Sequence, residues 1–345
     1  MREPAFWWQG GAAPAASPAA TLLAPAASLY GAIAAWRMSQ PGRRAPVPVL
    51  CVGNFTLGGA GKTPAAIALA RLVMAAGHRP YFLSRGYGGR LAGPILLAGA
   101  DPGSHSAPDV GDEPLLLARI APTVVARDRV AGAALAASSG ADLVIMDDGL
   151  QNPALAKDFS IAVVDGRRGI GNGRVFPAGP LRAPLSAQLE RVDGLLVVGA
   201  TAASSGRTIE AARKRALPVF HGELRPDPAA AAALAGKPVL AFAGIADPDK
   251  FFATLEACAI PAAVRARFPD HHRYTRAEIA ALLARADRER LVLVTTEKDL
   301  ARMAGDAAAT ELLARARALP VTLTFTEDAG RALLDAVEVA LRRRA

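Results

Sequence analysis

Apolar runs and helix-compatible segments alternate along residues 47–198. Short apolar runs predict strands at Val47–Val52, Pro80–Leu83, Thr123–Ala126, Leu143–Met146, Ile161–Val164 and Gly194–Val198. Periodic segments between them predict helices at Lys62–Ala76, Glu113–Ile120 and Arg129–Ser138. Because apolar strands are separated by helices, we expect a parallel sheet that is covered on both faces. Such a sheet binds its ligands at the carboxyl ends of the strands.

A second alternating series begins after His221. It predicts strands at Pro238–Ala243, Val264–Phe268, Leu291–Thr295 and Val321–Phe325, and helices at Pro248–Cys258, Arg276–Ala286 and Gly330–Arg343. A link rich in Pro and polar residues, Glu223–Pro228, precedes this series, and such links often separate domains. We therefore expect a first α/β domain over residues 46–222 and a second, smaller α/β domain over residues 223–345.

The turn after the first predicted strand, Thr56–Thr63, has the sequence TLGGAGKT. A glycine-rich turn between a strand and a helix exposes backbone N–H groups where the helix dipole is positive, which creates a cradle for phosphate. The lysine would reach the outer phosphates of a nucleotide, and the last threonine would bind Mg²⁺. The usual pattern has a glycine where Thr56 stands. The predicted phosphate-binding residues are Gly58, Gly59, Ala60, Gly61, Lys62 and Thr63.

Two carboxylates, Asp147 and Asp148, directly follow the apolar run Leu143–Met146. A parallel strand that ends in an acid delivers it to the sheet edge where the phosphate loop also lies, and there it can hold Mg²⁺ directly or through water. Capping of a following helix is the alternative for one of the two acids, but it explains both less easily.

A second acidic pair, Asp112 and Glu113, precedes Pro114 at the start of a predicted helix. A capping residue followed by an acid is also a common way to begin a helix, so the pattern alone does not separate capping from catalysis. Phosphoryl transfer to a hydroxyl requires a carboxylate that orients the hydroxyl and accepts its proton. We therefore treat this pair as a candidate for the acceptor side of a phosphoryl transfer.

The segment Phe268–Tyr274 contains two of the five histidines. Two adjacent histidines do not readily share one metal ion, and no further ligand spacing accompanies them, which argues against zinc. One histidine held by Asp270 could tune a base across an interdomain cleft. The alternative is a polar turn before a helix that Thr275 caps.

Three further loops could contact a phosphorylated ligand. Ser84–Gly89 follows the second strand, a long Gly/Pro-rich loop with spaced arginines covers residues 169–182, and Thr295–Asp299 ends a strand of the second domain, where it could meet a nucleotide base or ribose. Loops at strand ends commonly carry binding residues, and guanidinium groups bind phosphate. Each of these loops is also typical of an ordinary surface loop.

The N-terminal region carries no charged residue from Pro4 to Trp36. Its segment Thr21–Trp36 is apolar and helix-compatible, but its Ala, Pro and Gly content makes it a marginal spanning helix. A helix that lies on a membrane surface fits better, so we expect residues 1–45 to be a membrane-associated segment. A buried first helix is the alternative.

Composition narrows the partners of the chain. Its 345 residues are 52% hydrophobic, enough for two domains with cores, and its net charge of +9 suits a partner that carries phosphate. Anionic lipid is favoured over nucleic acid, because neither a zinc-ligand spacing nor an RNA-binding aromatic signature is present. Cys51 and Cys258 stand alone in apolar segments, which is typical of reduced cysteines in a cytosolic compartment.

Taken together, these motifs resemble the tetraacyldisaccharide 4'-kinases, or lipid A 4'-kinases. The resemblance covers nearly the whole chain, and its motifs follow the family's order. They are Val52–Asn54, Gly58–Pro64, Ser84–Gly88, Gly111–Pro114, Asp147–Gln151, Gly171–Arg174, Pro177–Arg182, Asp270–His271 and Thr295–Asp299. Each motif alone has low specificity, whereas the set is highly specific.

The resemblance implies transfer of the γ-phosphate of ATP to the 4'-hydroxyl of tetraacyldisaccharide 1-phosphate, which forms lipid IVA in lipid A biosynthesis. It implies a P-loop NTPase-like parallel-sheet domain, a second smaller α/β domain that closes an active-site cleft, and an N-terminal helix on the cytoplasmic face of the bacterial inner membrane. The expected ligands are ATP, Mg²⁺ and an anionic acylated disaccharide lipid. We expect no nucleic acid partner and a monomeric protein.

The family's functional residues fall on particular positions of this chain. The base falls on Asp112, assisted by His271, and the phosphate-loop lysine is Lys62. The metal-side residues would be Thr63, Glu113, Asp147 and Asp148. The substrate-side residues would be Arg85, Gln151, Asn172 and Arg182.

Two positions depart from the family's usual pattern. Ala183 stands where a glutamate often follows the arginine, and Asn152 stands where a histidine is frequent.

The alternative function is a membrane-bound switch ATPase with a deviant phosphate loop. Such switches carry a second lysine before the two glycines, and Leu57 occupies that position. A soluble nucleotide-dependent ligase would leave the uncharged N-terminal region unexplained.

Overall fold

The structure is a computed structural model that describes residues 3–8, 17–97 and 105–344. Part of the predicted N-terminal segment, residues 1–2 and 9–16, therefore lies outside the described residues. The strands are β1 (Val49–Asn54), β2 (Pro80–Ser84), β3 (Ile95–Leu97), β4 (Thr123–Val125), β5 (Leu143–Asp147), β6 (Phe159–Asp165), β7 (Gly194–Val198), β8 (Val219–Pro226), β9 (Val239–Ala243), β10 (Ala262–Arg267), β11 (Val292–Thr295), β12 (Arg317–Ala318) and β13 (Val321–Phe325).

Fourteen α-helices lie in the described part of the chain, together with short 3₁₀ helices at Ala5–Trp7 and Ala307–Ala309. They are α1 (Pro18–Leu22), α2 (Ala24–Ser39), α3 (Lys62–Ala75), α4 (Ala107–Val110), α5 (Asp112–Leu117), α6 (Arg129–Ser138), α7 (Leu185–Leu189), α8 (Ala203–Arg213), α9 (Pro228–Leu234), α10 (Pro248–Ala257), α11 (Arg276–Glu289), α12 (Glu297–Met303), α13 (Thr310–Arg315) and α14 (Glu327–Arg344).

Nine strands form the larger sheet, in the order β13-β8-β7-β6-β1-β5-β2-β4-β3. The central strand β1 pairs in parallel with β5 and β6, and all six of its residues are buried. Side chains of α3 and α14 cover one face of the sheet, and side chains of α6, α7 and α8 cover the other. Of the described strands, β3 and β13 at the two edges run antiparallel to their neighbours. The predicted α/β class with a mostly parallel sheet is confirmed.

A second sheet of four parallel strands, in the order β10-β9-β11-β12, lies in the segment between β8 and β13. Together with α9 to α13 it forms the small lobe, residues 227–320. The other described residues form the large lobe. Each lobe has its own apolar core, because the helices of each bury an apolar face against its own sheet.

The domain division expected at residue 222 differs from this arrangement. β8 runs across that position, and β13 returns to pair with β8, with Leu323 opposite Leu224. α14 then packs onto the large sheet through Leu333 and Val337. Residues 321–344, expected in the second domain, therefore belong to the large lobe. The physical reason is that the apolar pattern of a strand or helix shows that it has a buried face but not which sheet buries it.

The N-terminal helix α2 is packed on one side and exposed on the other. Gly31 lies against Pro184 and next to the loop that precedes α7, whereas Leu29, Ile33 and Trp36 are 66%, 50% and 65% exposed. Their spacing places these three side chains on one face of the helix. The alternative, a first helix buried in the protein, does not fit these three exposed side chains. Within the described residues, no helix is both long and apolar enough to cross a bilayer.

Candidate active site

The turn after β1 leads directly into α3, whose first residue is Lys62. Gly61 and Gly58 have φ values of +86° and +96°, a region in which other residues are strained. Lys62 Nζ lies 3.4 Å from the Gly58 oxygen and 3.6 Å from Asp148 Oδ2, so the ammonium group is folded over the turn. Burial lowers the pKa of Lys62, and the neighbouring Asp148 opposes this shift. A cation and free N–H groups at a helix N-terminus form a site for phosphate.

The end of β5 places two carboxylates beside this turn. Thr63 Oγ1 donates to Asp147 Oδ2 at 3.4 Å, while Asp147 Oδ1 is buried without a hydrogen-bond partner. Burial and the nearby carboxylates raise the pKa of Asp147 well above its usual value. Asp148 forms a bidentate ion pair with Arg182. Nη1 of the arginine donates to Oδ1 at 2.7 Å, and Nη2 donates to Oδ2 at 3.0 Å. Burial opposes ionisation there, but Lys62 and Arg182 lower the pKa of Asp148 to about 2.

Asp112 and Glu113 are the first two residues of α5, and both carboxylates face α12 of the small lobe. Asp112 Oδ2 accepts hydrogen bonds from Arg302 Nη2 at 2.6 Å and from Nε at 3.2 Å. Glu113 Oε1 accepts one from Lys298 Nζ at 2.7 Å. Burial opposes the ionisation of Asp112, but His271, Lys298 and Arg302 hold the pKa of this carboxyl below its usual range.

His271 reaches the same carboxylate from the loop after β10. Its Nδ1 lies 3.4 Å from Asp112 Oδ2, and its Nε2 lies 3.8 Å from Asp270 Oδ2. The hydrogen bond with Asp112 raises the pKa of His271. The ring of Tyr87 lies 5.1 Å from the imidazole, centroid to centroid. The structure thus places this histidine beside a carboxylate of the large lobe, and Thr275 caps the helix that follows, as the sequence predicts.

One continuous cavity of about 1130 Å³ is lined by the phosphate loop, the acids at the end of β5, Glu113 and His271. Asp112, which contacts His271, is 4% exposed and does not line it. The cavity lies between the two lobes and extends to Arg37 at the end of α2. Its charged and polar lining includes Lys62, Thr63, Arg85, Glu113, Arg129, Asp147, Asp148, Gln151, Arg182, His271 and Lys298. The cavity is therefore large enough to bring a nucleotide and a second substrate together.

The predicted substrate-side residues divide into two groups. Arg85, Gln151 and Arg182 line the cavity, and Gln151 Oε1 accepts a hydrogen bond from Arg182 Nη1 at 3.2 Å. Asn172 does not line it. Its backbone N–H donates to the oxygen of Trp7 at 2.8 Å, so it fastens the 169–182 loop to the N-terminal residues. The position of Asn172 therefore indicates a structural contact, and its predicted contact with substrate has no support from the geometry.

Thr63 and Asp147 are the residues that fit a magnesium ion. Their hydroxyl and carboxylate oxygens are hard donors, and Asp147 Oδ1 is a buried acceptor without a hydrogen-bond partner. Glu113 and Asp148 are each engaged by a cationic side chain. Among residues 3–8, 17–97 and 105–344, no three Asp, Glu, His or Cys side chains form a ready-made metal site. Magnesium suits such a place, because it often binds through one or two carboxylates together with substrate phosphates.

Sequence reasoning missed two buried arginines. Arg302 follows Lys298 by four residues, so helical periodicity was a signal that could have placed both on one face of α12. Arg129, at the start of α6, is 2% exposed, and its Nε and Nη1 have no hydrogen-bond partner although it lines the cavity. No sequence motif marks that position. The carboxylate of Glu3 is a further surprise, since it lies against Gly58 of the phosphate loop.

The phosphate loop, the carboxylate–histidine pair and the cavity between two lobes are the features that the resemblance noted in the sequence implies. The family model described as tetraacyldisaccharide-1-P 4'-kinase matches residues 19–338. This chain belongs to the tetraacyldisaccharide 4'-kinase family. In this kinase the match covers both lobes, including β13 and most of α14, which return to the large sheet.

Named relatives agree over nearly full length. The tetraacyldisaccharide 4'-kinase of Methylobacterium nodulans is 57% identical over 95% of this chain and 93% of its own length. That of Methylobacterium sp. strain 4-46 is 55% identical over 100% and 99%. A crystal structure of the "apo" form of LpxK from Aquifex aeolicus in complex with ATP superposes with a TM-score of 0.71 at 25% identity, over 93% of this chain and 99% of that one. The predicted resemblance is confirmed, and the switch ATPase alternative receives no support.

Proposed function

We propose the following residue roles for the reaction of this kinase, transfer of the γ-phosphate of ATP to the 4'-hydroxyl of tetraacyldisaccharide 1-phosphate in lipid A biosynthesis. The observation that carries the proposal is the continuous cavity lined by the phosphate loop and by His271, whose Nδ1 lies 3.4 Å from Asp112 Oδ2. A donor site and an acceptor site that share one cavity allow direct transfer between bound substrates.

The donor site is the turn before α3. Its backbone N–H groups and Lys62 hold the phosphates of ATP, and the ammonium group stabilises the charge that develops on the transferring phosphoryl group. Lys62 Nζ lies near Gly58 and Asp148, so its side chain is folded over the turn that would receive the phosphates. Magnesium would be held by Thr63 and Asp147 and would neutralise charge on the phosphates.

The acceptor site is the start of α5. Asp112 orients the sugar hydroxyl and takes its proton, and His271 stabilises the carboxylate from the small lobe. A low pKa suits a carboxylate that mainly orients the hydroxyl, because the transition state of phosphoryl transfer is loose and needs little nucleophile activation. Arg85 and Arg182 at the cavity wall supply positive charge for the anionic lipid.

The outer face of α2 would rest on the cytoplasmic surface of the inner membrane. Leu29, Ile33 and Trp36 form an exposed apolar face, and Arg37, next in sequence, lines the cavity. An enzyme held in this way can take the acylated substrate without removing its chains from the bilayer. We propose that the kinase acts there as a monomer, because both halves of the site lie in one chain.

The roles are tested with purified protein, labelled ATP, MgCl₂ and tetraacyldisaccharide 1-phosphate in mixed micelles, with the new phosphate located by mass spectrometry. We expect Asp112→Ala to lower turnover by about 10²–10⁴-fold while ATP binding is retained. The control is Asp249→Ala, which removes a carboxylate from an exposed pair with Arg267. Parent-like turnover in Asp112→Ala would remove this residue from the mechanism.

Membrane attachment is tested by sedimentation with anionic phospholipid vesicles. We expect Ile33→Asp to weaken binding at least about tenfold, because it replaces an apolar contact with a charge. Met74→Asp is the control, since Met74 is 43% exposed but lies on α3. Equal binding by the two variants would refute the proposed surface.

A further inference from the structure

Arg302 is a buried cation that the residue roles given above do not use. Its side chain is 7% exposed, and all three of its nitrogens are engaged. Nη2 and Nε donate to Asp112, while Nη1 donates to the Gly244 oxygen at 3.0 Å and to Asp299 Oδ1 at 2.8 Å. A planar guanidinium that donates from all three nitrogens fixes the geometry of its acceptors more strictly than a single ammonium could.

Within the small lobe, Arg302 is held by the carboxylate of Asp299. Asp299 is fully buried and accepts hydrogen bonds from Gly244 N at 3.1 Å, from Tyr274 Oη at 2.9 Å and from Thr296 Oγ1 at 2.7 Å. The carboxylate that orients Arg302 is therefore itself fixed by three donors of its own lobe. Because this support is complete within the small lobe, Arg302 presents its remaining nitrogens to the large lobe in a set direction.

The Gly244 oxygen connects Arg302 to the histidine loop. It accepts from Arg302 Nη1 and also from the backbone N–H of His271 at 3.1 Å. Asp112 Oδ2 in turn meets both Arg302 and the His271 imidazole. The guanidinium thus contacts Asp112 of the large lobe directly, and it is linked to His271 of the small lobe through the Gly244 oxygen.

We propose that Arg302 is a positioning residue that orients the Asp112 carboxylate toward the acceptor hydroxyl when the two lobes are docked. The proposal rests on the role of Asp112 given above. Direct contact with Asp112 distinguishes Arg302 from other ion pairs between the lobes. Arg167–Asp247, Lys250–Asp165 and Lys298–Glu113 also join the lobes, but Asp112 is not a member of any of these pairs.

The test compares Arg302→Met, Arg302→Lys and the control Arg167→Met in the micelle assay, with kcat and the KM for ATP measured separately. We expect Arg302→Met to lower kcat by about 10²-fold, the usual effect of misplacing a catalytic group by about 1 Å. The KM for ATP should change little, because Arg302 does not contact the phosphate loop. Arg302→Lys should give an intermediate kcat, since it keeps the charge but loses the planar fork. Arg167→Met should behave like the parent, because Arg167 is largely exposed and Arg168 also pairs with Asp247.

A comparison in the Asp112→Ala background distinguishes positioning from general support of the fold. If Arg302 acts through Asp112, Arg302→Met should cause no further loss of single-turnover rate in that background. A further loss of about 10²-fold there, or a parent-like kcat in Arg302→Met, would overturn the proposal. If Arg302→Met does not fold, Arg302→Lys decides, because a parent-like kcat in that variant also overturns it. A fully active Asp112→Ala would instead refute the base role, which is a separate result.

Discussion

The donor and acceptor sites of this kinase are built in opposite ways. The phosphate loop is a contiguous stretch, Thr56–Thr63, that follows a central strand and opens a helix of the same lobe. The acceptor site combines Asp112 of the large lobe with His271 and Arg302 of the small lobe. A contiguous loop within one lobe should keep its geometry when the lobes move relative to each other. The acceptor site, in contrast, is complete only while the two lobes are docked. Nucleotide binding and acceptor activation should therefore respond differently to mutation.

Among the further variants that test this comparison, the largest effect should come from the donor side. Lys62→Met removes the cation that faces the transferring phosphoryl group, so we expect kcat to fall by about 10³-fold. Because the backbone cradle persists, some nucleotide affinity should remain. Turnover and ATP binding by calorimetry check this, with Lys214→Met as a control in an exposed helical pair. Complete loss of nucleotide binding would contradict the view that the backbone of the loop binds phosphate without the lysine.

Breaking the Lys298–Glu113 pair should affect the docking of the lobes. Lys298→Met leaves the Glu113 carboxylate half-buried without its partner at 2.7 Å, a change that typically costs about 3 kcal/mol. We expect a smaller docked population, seen as a larger radius of gyration in solution scattering and a kcat reduced by about 10²-fold. Removing both charges with Glu113→Gln and Lys298→Met should restore compactness. Unchanged scattering in Lys298→Met would contradict this view of docking.

A change confined to the small lobe should lower stability and leave the phosphate loop intact. Thr275 Oγ1 accepts from Glu278 N, and Glu278 reaches back in a capping box at the start of α11. Thr275→Ala should reduce the free energy of unfolding by about 1 kcal/mol. Thr275→Ser keeps the hydroxyl and serves as the control in thermal unfolding. A decrease in ATP affinity at low temperature would show that the lobes are coupled at the donor site as well.

The smallest effect should come from Asp165, which pairs with Lys250 across the lobes at 2.9 Å. Burial opposes ionisation, but Lys250 and the backbone N–H groups of Arg167 and Arg168 hold the pKa of Asp165 below its usual value. A lowered folded-state pKa means that the ionised carboxylate stabilises the fold above the unfolded-state pKa, about 3.9. At neutral pH we expect Asp165→Asn to lose about 0.5 kcal/mol.

That difference should diminish as the pH falls through the folded-state pKa of Asp165, where parent and variant both carry a neutral group. Urea unfolding at a series of pH values measures it. A difference that stays constant down to acid pH would assign the effect to hydrogen bonding instead of charge.

Much of the large lobe could be predicted from the chain. The predicted bounds of Gly194–Val198 and Arg129–Ser138 coincide with β7 and α6, since uninterrupted apolar runs and helical periodicity are local signals. α12 was not predicted as a helix, although Lys298 lies in a motif that the sequence singled out, because its seven residues show too little periodicity. β13 was predicted as a strand but assigned to the other domain.

The sequence by itself determined the α/β class, the phosphate loop with Lys62, and the acids at the end of β5, because each depends on residues close together in the chain. Only the tertiary structure decided that β13 and α14 close the large sheet, that Asn172 does not line the cavity, and that Arg302 contacts Asp112. The reason is physical. Those contacts join segments far apart in sequence, and their geometry is set by how two separately packed cores meet.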